Sequence, residues 1–176
     1  MDTDQVNRQI FMVGTGGQGI LLLARALSEL AVRAGRRVIS SETHGMAMRG
    51  GTVTANLKVG AFESPLIPAG SADMLIGLDE TEAKGYLHML RPGGVSAVNA
   101  PEQGSFDHSI DATSMALNAK MPGAVNMVML GFAVKILGID PGEARRVVEE
   151  ISPGRGLKDN LRAMEMGYAY QHQESA

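Results

Sequence analysis

An α/β fold, arranged as a three-layer α/β/α sandwich, is what this 176-residue sequence predicts, on two observations. Short apolar runs of strand length alternate with longer segments of helical period, the order that builds a sheet covered by helices. The first run, Ile10 to Val13, enters the turn Gly14-Thr15-Gly16-Gly17-Gln18-Gly19 and then a long helix, which is the opening of a Rossmann-like βαβ unit. The length suits a single domain, 1–176, with Gln173 to Ala176 as a disordered tail.

Each element has a local reason. Gln9 to Val13 reads as the first strand. From Gly17 to about Ala34, Ile20, Leu23, Ala24, Leu27, Leu30 and Ala31 recur at steps of three and four, one helical face, and Gly35 stops the helix. Arg37 to Ser41 is a second strand, expected to pair in parallel with the first. Glu42 to Gly51 reads as a loop. Thr52 to Val59 alternates, with Val53, Ala55, Leu57 and Val59 on one face and Thr54, Asn56 and Lys58 on the other, the pattern of a half-exposed strand. Met74 to Leu78 and Val95 to Asn99 are buried strands. A helix opening at Asp79 or Glu80 lies between them and ends before Pro92-Gly93-Gly94. Ile110 to Ala112 reads as a short edge strand, and Thr113 as the cap of a helix around Met115 to Asn118. Asn126 to Leu137 is apolar and helical, with core favoured over subunit contact. Asp140-Pro141-Gly142-Glu143 opens a helix to Ile151, and Leu157 to about Gln171 is the last.

Composition removes several function classes. The charge is mild, with Lys+Arg 16 and Asp+Glu 19, and no basic run marks a nucleic-acid footprint. No apolar run has membrane-spanning length, and the acidic start lacks the basic region of a secretion signal, so the expected compartment is the cytoplasm. Cys 0 leaves no disulfide, no thiolate nucleophile and no cysteine-held cluster or zinc. Met 12 against four Phe and three Tyr is explained by methionine filling the core, or by an adaptable interaction face.

Two glycine clusters carry the chemistry. Gly14, Gly16 and Gly19 have the G-x-G-x-x-G spacing. Glycines there permit close approach of a ligand to backbone N–H groups at a helix start, a setting for phosphate. Glu42, at the end of the second strand, stands where a dinucleotide fold places its ribose-binding acid. The second cluster, His44-Gly45-Met46-Ala47-Met48-Arg49-Gly50-Gly51, is foreign to that fold. Arg49 offers a planar fork for carboxylate or phosphate, and His44 a proton or hydrogen bond near neutral pH, against the alternative of a loop histidine bonded to backbone. Asp79 and Asn99, at strand ends, read as caps. Arg145-Arg146 with Glu149-Glu150 reads as a solvated face, and His88, His108 and His172 have no metal spacing.

The two clusters in this order resemble the gamma-type domain of the 2-oxoacid:ferredoxin oxidoreductases, in the form of the small (beta) subunit of the indolepyruvate type. The likeness runs through Ser64-Pro65-Leu66-Ile67-Pro68, Ala72-Asp73, Leu90-Arg91-Pro92-Gly93-Gly94, Asp111-Ala112-Thr113, Ala124 to Gly131, Asn160-Leu161-Arg162-Ala163 and Gly167-Tyr168. The segment Pro101 to His108 departs from it by being short. The resemblance implies a mixed, mostly parallel sheet. It also implies oxidative decarboxylation of a 2-oxo acid, of the indolepyruvate or arylpyruvate kind, to an acyl-CoA with electrons passed to ferredoxin. Thiamine diphosphate and [4Fe-4S] clusters then belong to a larger partner subunit, and this chain is inactive alone. Coenzyme A becomes the candidate ligand of Gly14, Gly16, Gly17, Gln18, Gly19, Gly50 and Gly51, with no metal. His44 and Arg49 become candidate catalytic residues at the partner interface. The competing readings are a stand-alone NAD-dependent dehydrogenase and a non-enzymatic nucleotide- or CoA-binding module.

Overall fold

The computed structural model describes residues 7–44, 50–102, 106–152 and 154–171. The side chain of His44, the residues 45–49 (Arg49 among them) and the expected tail Gln173 to Ala176 lie outside the described residues.

Six strands form one sheet: β1 (Arg8–Thr15), β2 (Val38–His44), β3 (Thr52–Val59), β4 (Ala72–Gly77), β5 (Leu90–Asn99) and β6 (His108–Ile110). Their order is β2-β3-β1-β4-β5-β6. β1, β4, β5 and β6 pair in parallel, whereas β3 runs antiparallel to both β1 and β2. The sheet is therefore mixed and mostly parallel. The expected pairing of the first two strands is corrected: β1 and β2 point the same way, but β3 lies between them. Periodicity reports which face a strand buries and is silent about its neighbour.

Five helices cover one face: α1 (Ile20–Arg33), α3 (Ala112–Asn118), α4 (Val125–Ile136), α5 (Pro141–Ile151) and α6 (Leu157–Ala169). The other face carries α2 (Glu80–Tyr86) and a 3₁₀ turn, Leu87–Met89, over Phe11, Val13, Leu75 and Val98. α1 ends as its stripe predicts. The Gly35 N–H donates to Val32 O and the Arg36 N–H to Ala31 O, which satisfies the last carbonyls. α4 is buried from Asn126 to Val134, as a helix apolar on all sides must be. Its methionines, Met127 and Met129, are fully buried with Met12, Met74 and Met164, so methionine serves the core here.

α4 and α6 meet backbone to backbone. A Cβ on Gly131 would strike the Met164 carbonyl oxygen, and one on Gly167 would strike that of Val128. No other residue type permits that approach.

Three further expectations change. β3 is buried on both faces, not half exposed: Thr54, Asn56 and Lys58 are 9%, 5% and 6% exposed. The chain after β3 folds back over its polar side, where Asn56 Oδ1 accepts from Ile67 N at 3.3 Å and Lys58 Nζ sits 5.1 Å from the Phe62 ring centre. The loop expected from Glu42 begins later, because β2 stays paired with β3 as far as His44↔Val53. Asp111, not Thr113, caps α3, accepting from Ser114 N at 2.9 Å, and the helix starts at Ala112. Thr113 is held instead by Asn99.

At the edge of the sheet where β1 begins, two stretches of the family likeness prove to be scaffold. Asp73 accepts from Gln9 N at 2.7 Å and pairs with Arg91 Nε at 2.6 Å, which ties β4, β1 and β5 together.

Candidate functional site: two glycine clusters at one sheet edge

The carboxyl ends of the parallel strands define one edge of the sheet, the edge where open α/β folds bind ligands. Thr15 of β1, Gly77 of β4 and Asn99 of β5 end there, and antiparallel β3 begins there at Thr52. Asn99 Nδ2 donates to Leu78 O at 3.1 Å and to Thr113 Oγ1 at 2.9 Å, which fastens β4, β5 and the start of α3. Asp79 is the N-cap of α2, accepting from Glu82 N at 3.0 Å. Both are caps and ties, as the sequence suggests.

The glycine turn is shaped by its own residues. Gln18 Oε1 accepts from Thr15 N at 2.8 Å, and the Gln18 N–H donates to Thr15 O at 3.2 Å. Gln18 thus braces the turn from within. A Cβ on Gly14 would lie 2.6 Å from Gln18 Oε1 and 3.1 Å from Leu78 Cβ, so a side chain there would displace the Gln18 brace. Gly19, at φ 84°, precedes α1 in a left-handed conformation, and a Cβ there would lie 2.9 Å from Asn126 Cγ. Asn126, 6% exposed at the start of α4, donates to Gly19 O at 3.4 Å. Gly16 and Gly17 differ from these two. A Cβ on Gly17, at φ 96°, would meet nothing within 4 Å, and one on Gly16 would only touch Gly51 O at 3.6 Å.

The second cluster returns to the first. The Gly16 N–H donates to Gly51 O at 2.9 Å, and Thr15 pairs with Thr52. Among the described residues, a Cβ on Gly50 would also meet nothing within 4 Å. The fold therefore brings Gly16, Gly17, Gly50 and Gly51 together as a backbone-lined cradle. Beside it opens a cleft of about 400 Å³, walled by Ile20, Leu21, Leu22 and Val53. α1 begins at this edge without a side-chain cap among the described residues, a helix start of the kind that favours an anion. A larger cavity of about 520 Å³, between Ile10, Leu27, Leu57 and Ile139, lies at the opposite edge, away from every candidate residue.

The other candidates separate. The backbone of His44 is level with Val53 and, one strand further, Gly14. Arg49 lies outside the described residues. Glu42 pairs with Ala55, which pairs with Met12, so it stands two strands from β1 and below the level of the turn, ~10 Å away by strand spacing. The ribose-binding position of a dinucleotide fold is thereby lost. Among the described residues no group of His, Asp and Glu could hold a metal. His88 Nδ1 lies 3.0 Å from Gly85 O, a local bond. The charged face of α5 makes surface ion pairs: Arg145 bonds Glu149 at 3.1 Å and Glu165 of α6 at 2.6 Å. No helix among the described residues is long and apolar enough to cross a membrane.

Three contributors escape a motif search: Asn126, Thr52 and Glu82. Thr52 Oγ1 donates to Glu82 Oε2 at 3.0 Å. The sequence signals available were a lone amide in a helix otherwise apolar as far as Val134, and an acid three residues after the Asp79 cap.

Comparison with known proteins places this arrangement. The chain matches the family described as pyruvate ferredoxin/flavodoxin oxidoreductase over residues 9–170. It is 31% identical over 186 residues to the indolepyruvate oxidoreductase subunit IorB of Archaeoglobus fulgidus, an alignment covering 90% of this chain and 92% of that protein. Among solved structures, pyruvate oxidoreductase subunit PORC of Thermotoga maritima has the same fold, with a TM-score of 0.77 at 24% identity over 93% of this chain and 96% of that one. So does the 2-oxoglutarate:ferredoxin oxidoreductase of Magnetococcus marinus, solved with 2-oxoglutarate, coenzyme A and succinyl-CoA bound. Its TM-score is 0.78 at 20% identity, over 94% of this chain and 31% of that one. The chain belongs to the pyruvate ferredoxin/flavodoxin oxidoreductase family.

Proposed function

We propose that this family member is the small subunit of a 2-oxoacid:ferredoxin oxidoreductase of the indolepyruvate or arylpyruvate type, working in the cytoplasm, and that its glycine cradle receives coenzyme A. The overall reaction takes a 2-oxo acid, coenzyme A and two oxidised ferredoxins to an acyl-CoA, carbon dioxide, a proton and two reduced ferredoxins. The observation that carries the reading is the Gly16 N–H to Gly51 O bond, which joins two clusters 35 residues apart around a space left open at Gly17 and Gly50.

The residues fit the ligand. Coenzyme A carries a pyrophosphate, which suits the backbone N–H groups at the uncapped start of α1, and an apolar wall stands beside them. A Cβ at Gly17 would enter that space. Thiamine diphosphate and the [4Fe-4S] clusters are assigned to the larger partner subunit, since a chain with Cys 0 has no thiolate to ligate a cluster. Thiamine diphosphate, when bound there, supplies the electron sink for decarboxylation. This chain's part is to bind and to cover. The role assigned to Arg49 is to bind the 2-oxo acid carboxylate. The role assigned to His44 is to hold or pass a proton, and that of the segment between them is to shield the reacting centre from water.

One experiment tests both halves in the assembled enzyme. Gly16→Val should raise the coenzyme A KM by about ten-fold or more by blocking close approach, while Arg49→Ala should lower turnover at an unchanged coenzyme A KM without dissociating the complex. An unchanged KM in the first variant, or wild-type turnover in the second, removes the corresponding role.

A further inference from the structure

The segment Asp79-Glu80-Thr81-Glu82 has the spacing of a capping box, in which the acid three residues after the cap returns to the cap's own amide. Half of that box is present: Asp79 Oδ1 accepts from Glu82 N at 3.0 Å. The Glu82 carboxylate is directed elsewhere, accepting from Thr52 Oγ1 at 3.0 Å across 30 residues of chain. Glu80 is occupied with Lys84 at 2.8 Å, so the two acids of the first turn have separate partners. The turn itself is seated firmly. Gly77 of β4 lies so close beneath it that a Cβ there would stand 2.6 Å from Ala83 Cβ.

Thr52 is the first residue of β3 and follows Gly51 directly, and Gly51 O receives the Gly16 N–H. A continuous tie thus runs from α2 through Glu82, Thr52 and Gly51 to Gly16. We infer that Glu82 is a positioning residue, which holds the Gly50-Gly51 arm against the glycine turn and so sets the cradle's affinity for coenzyme A. The inference rests on the reading of that cradle given above. Glu82 acts through Thr52 and touches no ligand.

The test uses the assembled two-subunit enzyme with Thr52→Val, Glu82→Ala, their double variant and Glu82→Gln. It follows hydrogen exchange at the Gly16 amide together with the coenzyme A KM and kcat. Thr52→Val and Glu82→Ala should each speed exchange at Gly16 and raise KM about five-fold, with kcat at saturating coenzyme A within about two-fold of wild type. The double variant should be no worse than either single one, because both remove the same bond. Glu82→Gln keeps an acceptor oxygen and should restore both readouts. Unchanged exchange at Gly16 in the single variants, additive effects in the double, or a Glu82→Gln variant as impaired as Glu82→Ala overturns the inference. If exchange quickens and KM does not move, the Gly16→Val variant separates the cases. A raised KM there removes the affinity role of Glu82, and an unmoved KM there removes the coenzyme A reading and leaves the tie standing. Should Thr52→Val fail to assemble, Glu82→Ala alone carries the comparison.

Discussion

The glycines of the α4–α6 crossing and those of the sheet edge are chemically the same residue put to opposite uses. Gly131 and Gly167 lie against backbone, where a Cβ would occupy the place of a carbonyl oxygen. A Cβ on Gly17 or Gly50 would meet nothing within 4 Å among the described residues. At the crossing the missing side chain lets two helices approach, and at the edge it faces space that no described residue fills. The first cluster divides along the same line. Gly14 and Gly19 are held by Gln18, Leu78 and Asn126 and belong with the packing glycines, whereas Gly16 and Gly17 belong with the open ones. A G-x-G-x-x-G spacing therefore mixes two physical roles: Gly14 and Gly19 are packed against neighbouring side chains, while Gly16 and Gly17 leave room where a Cβ would stand.

The division makes graded predictions. Gly131→Ala should be the most damaging, costing about 3 kcal/mol or more, because the obstacle is the Met164 backbone and neither helix can shift cheaply. Urea unfolding measures it, and a loss under ~1 kcal/mol breaks the packing side of the comparison. Gly19→Ala should follow at about 2 kcal/mol, combining a left-handed conformation with displacement of Asn126. Its cost should fall when Asn126 is shortened to Ala in the same chain, which sharpens the assignment. Gly17→Ala should cost least, about 1 kcal/mol of backbone strain, and yet should weaken coenzyme A binding in the assembled enzyme. A Gly17→Ala variant as unstable as Gly131→Ala, or one with a wild-type coenzyme A KM, would erase the distinction.

How far these roles were readable beforehand differs by element. α1 was legible because its stripe repeats for four turns and Gly35 ends it, and α5 because Asp140 and Pro141 announce its start. The pairing of β3 was not legible, since alternation assigns faces and not neighbours. Nor was the burial of Thr54, Asn56 and Lys58, which depends on where residues after Gly60 return. The two glycine clusters could be named as candidates from spacing alone. Their junction at Gly16 and Gly51 needed the antiparallel register that sets Thr15 opposite Thr52. Asn126 and Glu82 act over separations of 107 and 30 residues, which no local pattern encodes.

The antiparallel pairing of β2 with β3 has a consequence for variation in this family. It fixes the two strand ends on either side of residues 45–49, one by the His44↔Val53 pair and the other by the Thr15↔Thr52 pair. Lengthening or exchanging the connection between them alters only its closure entropy, about 0.6 kcal/mol per doubling, and leaves every register on the sheet as it was. The segment that carries Arg49 is in that sense a replaceable cartridge. Its length can change without any change to the core that holds the glycine turn.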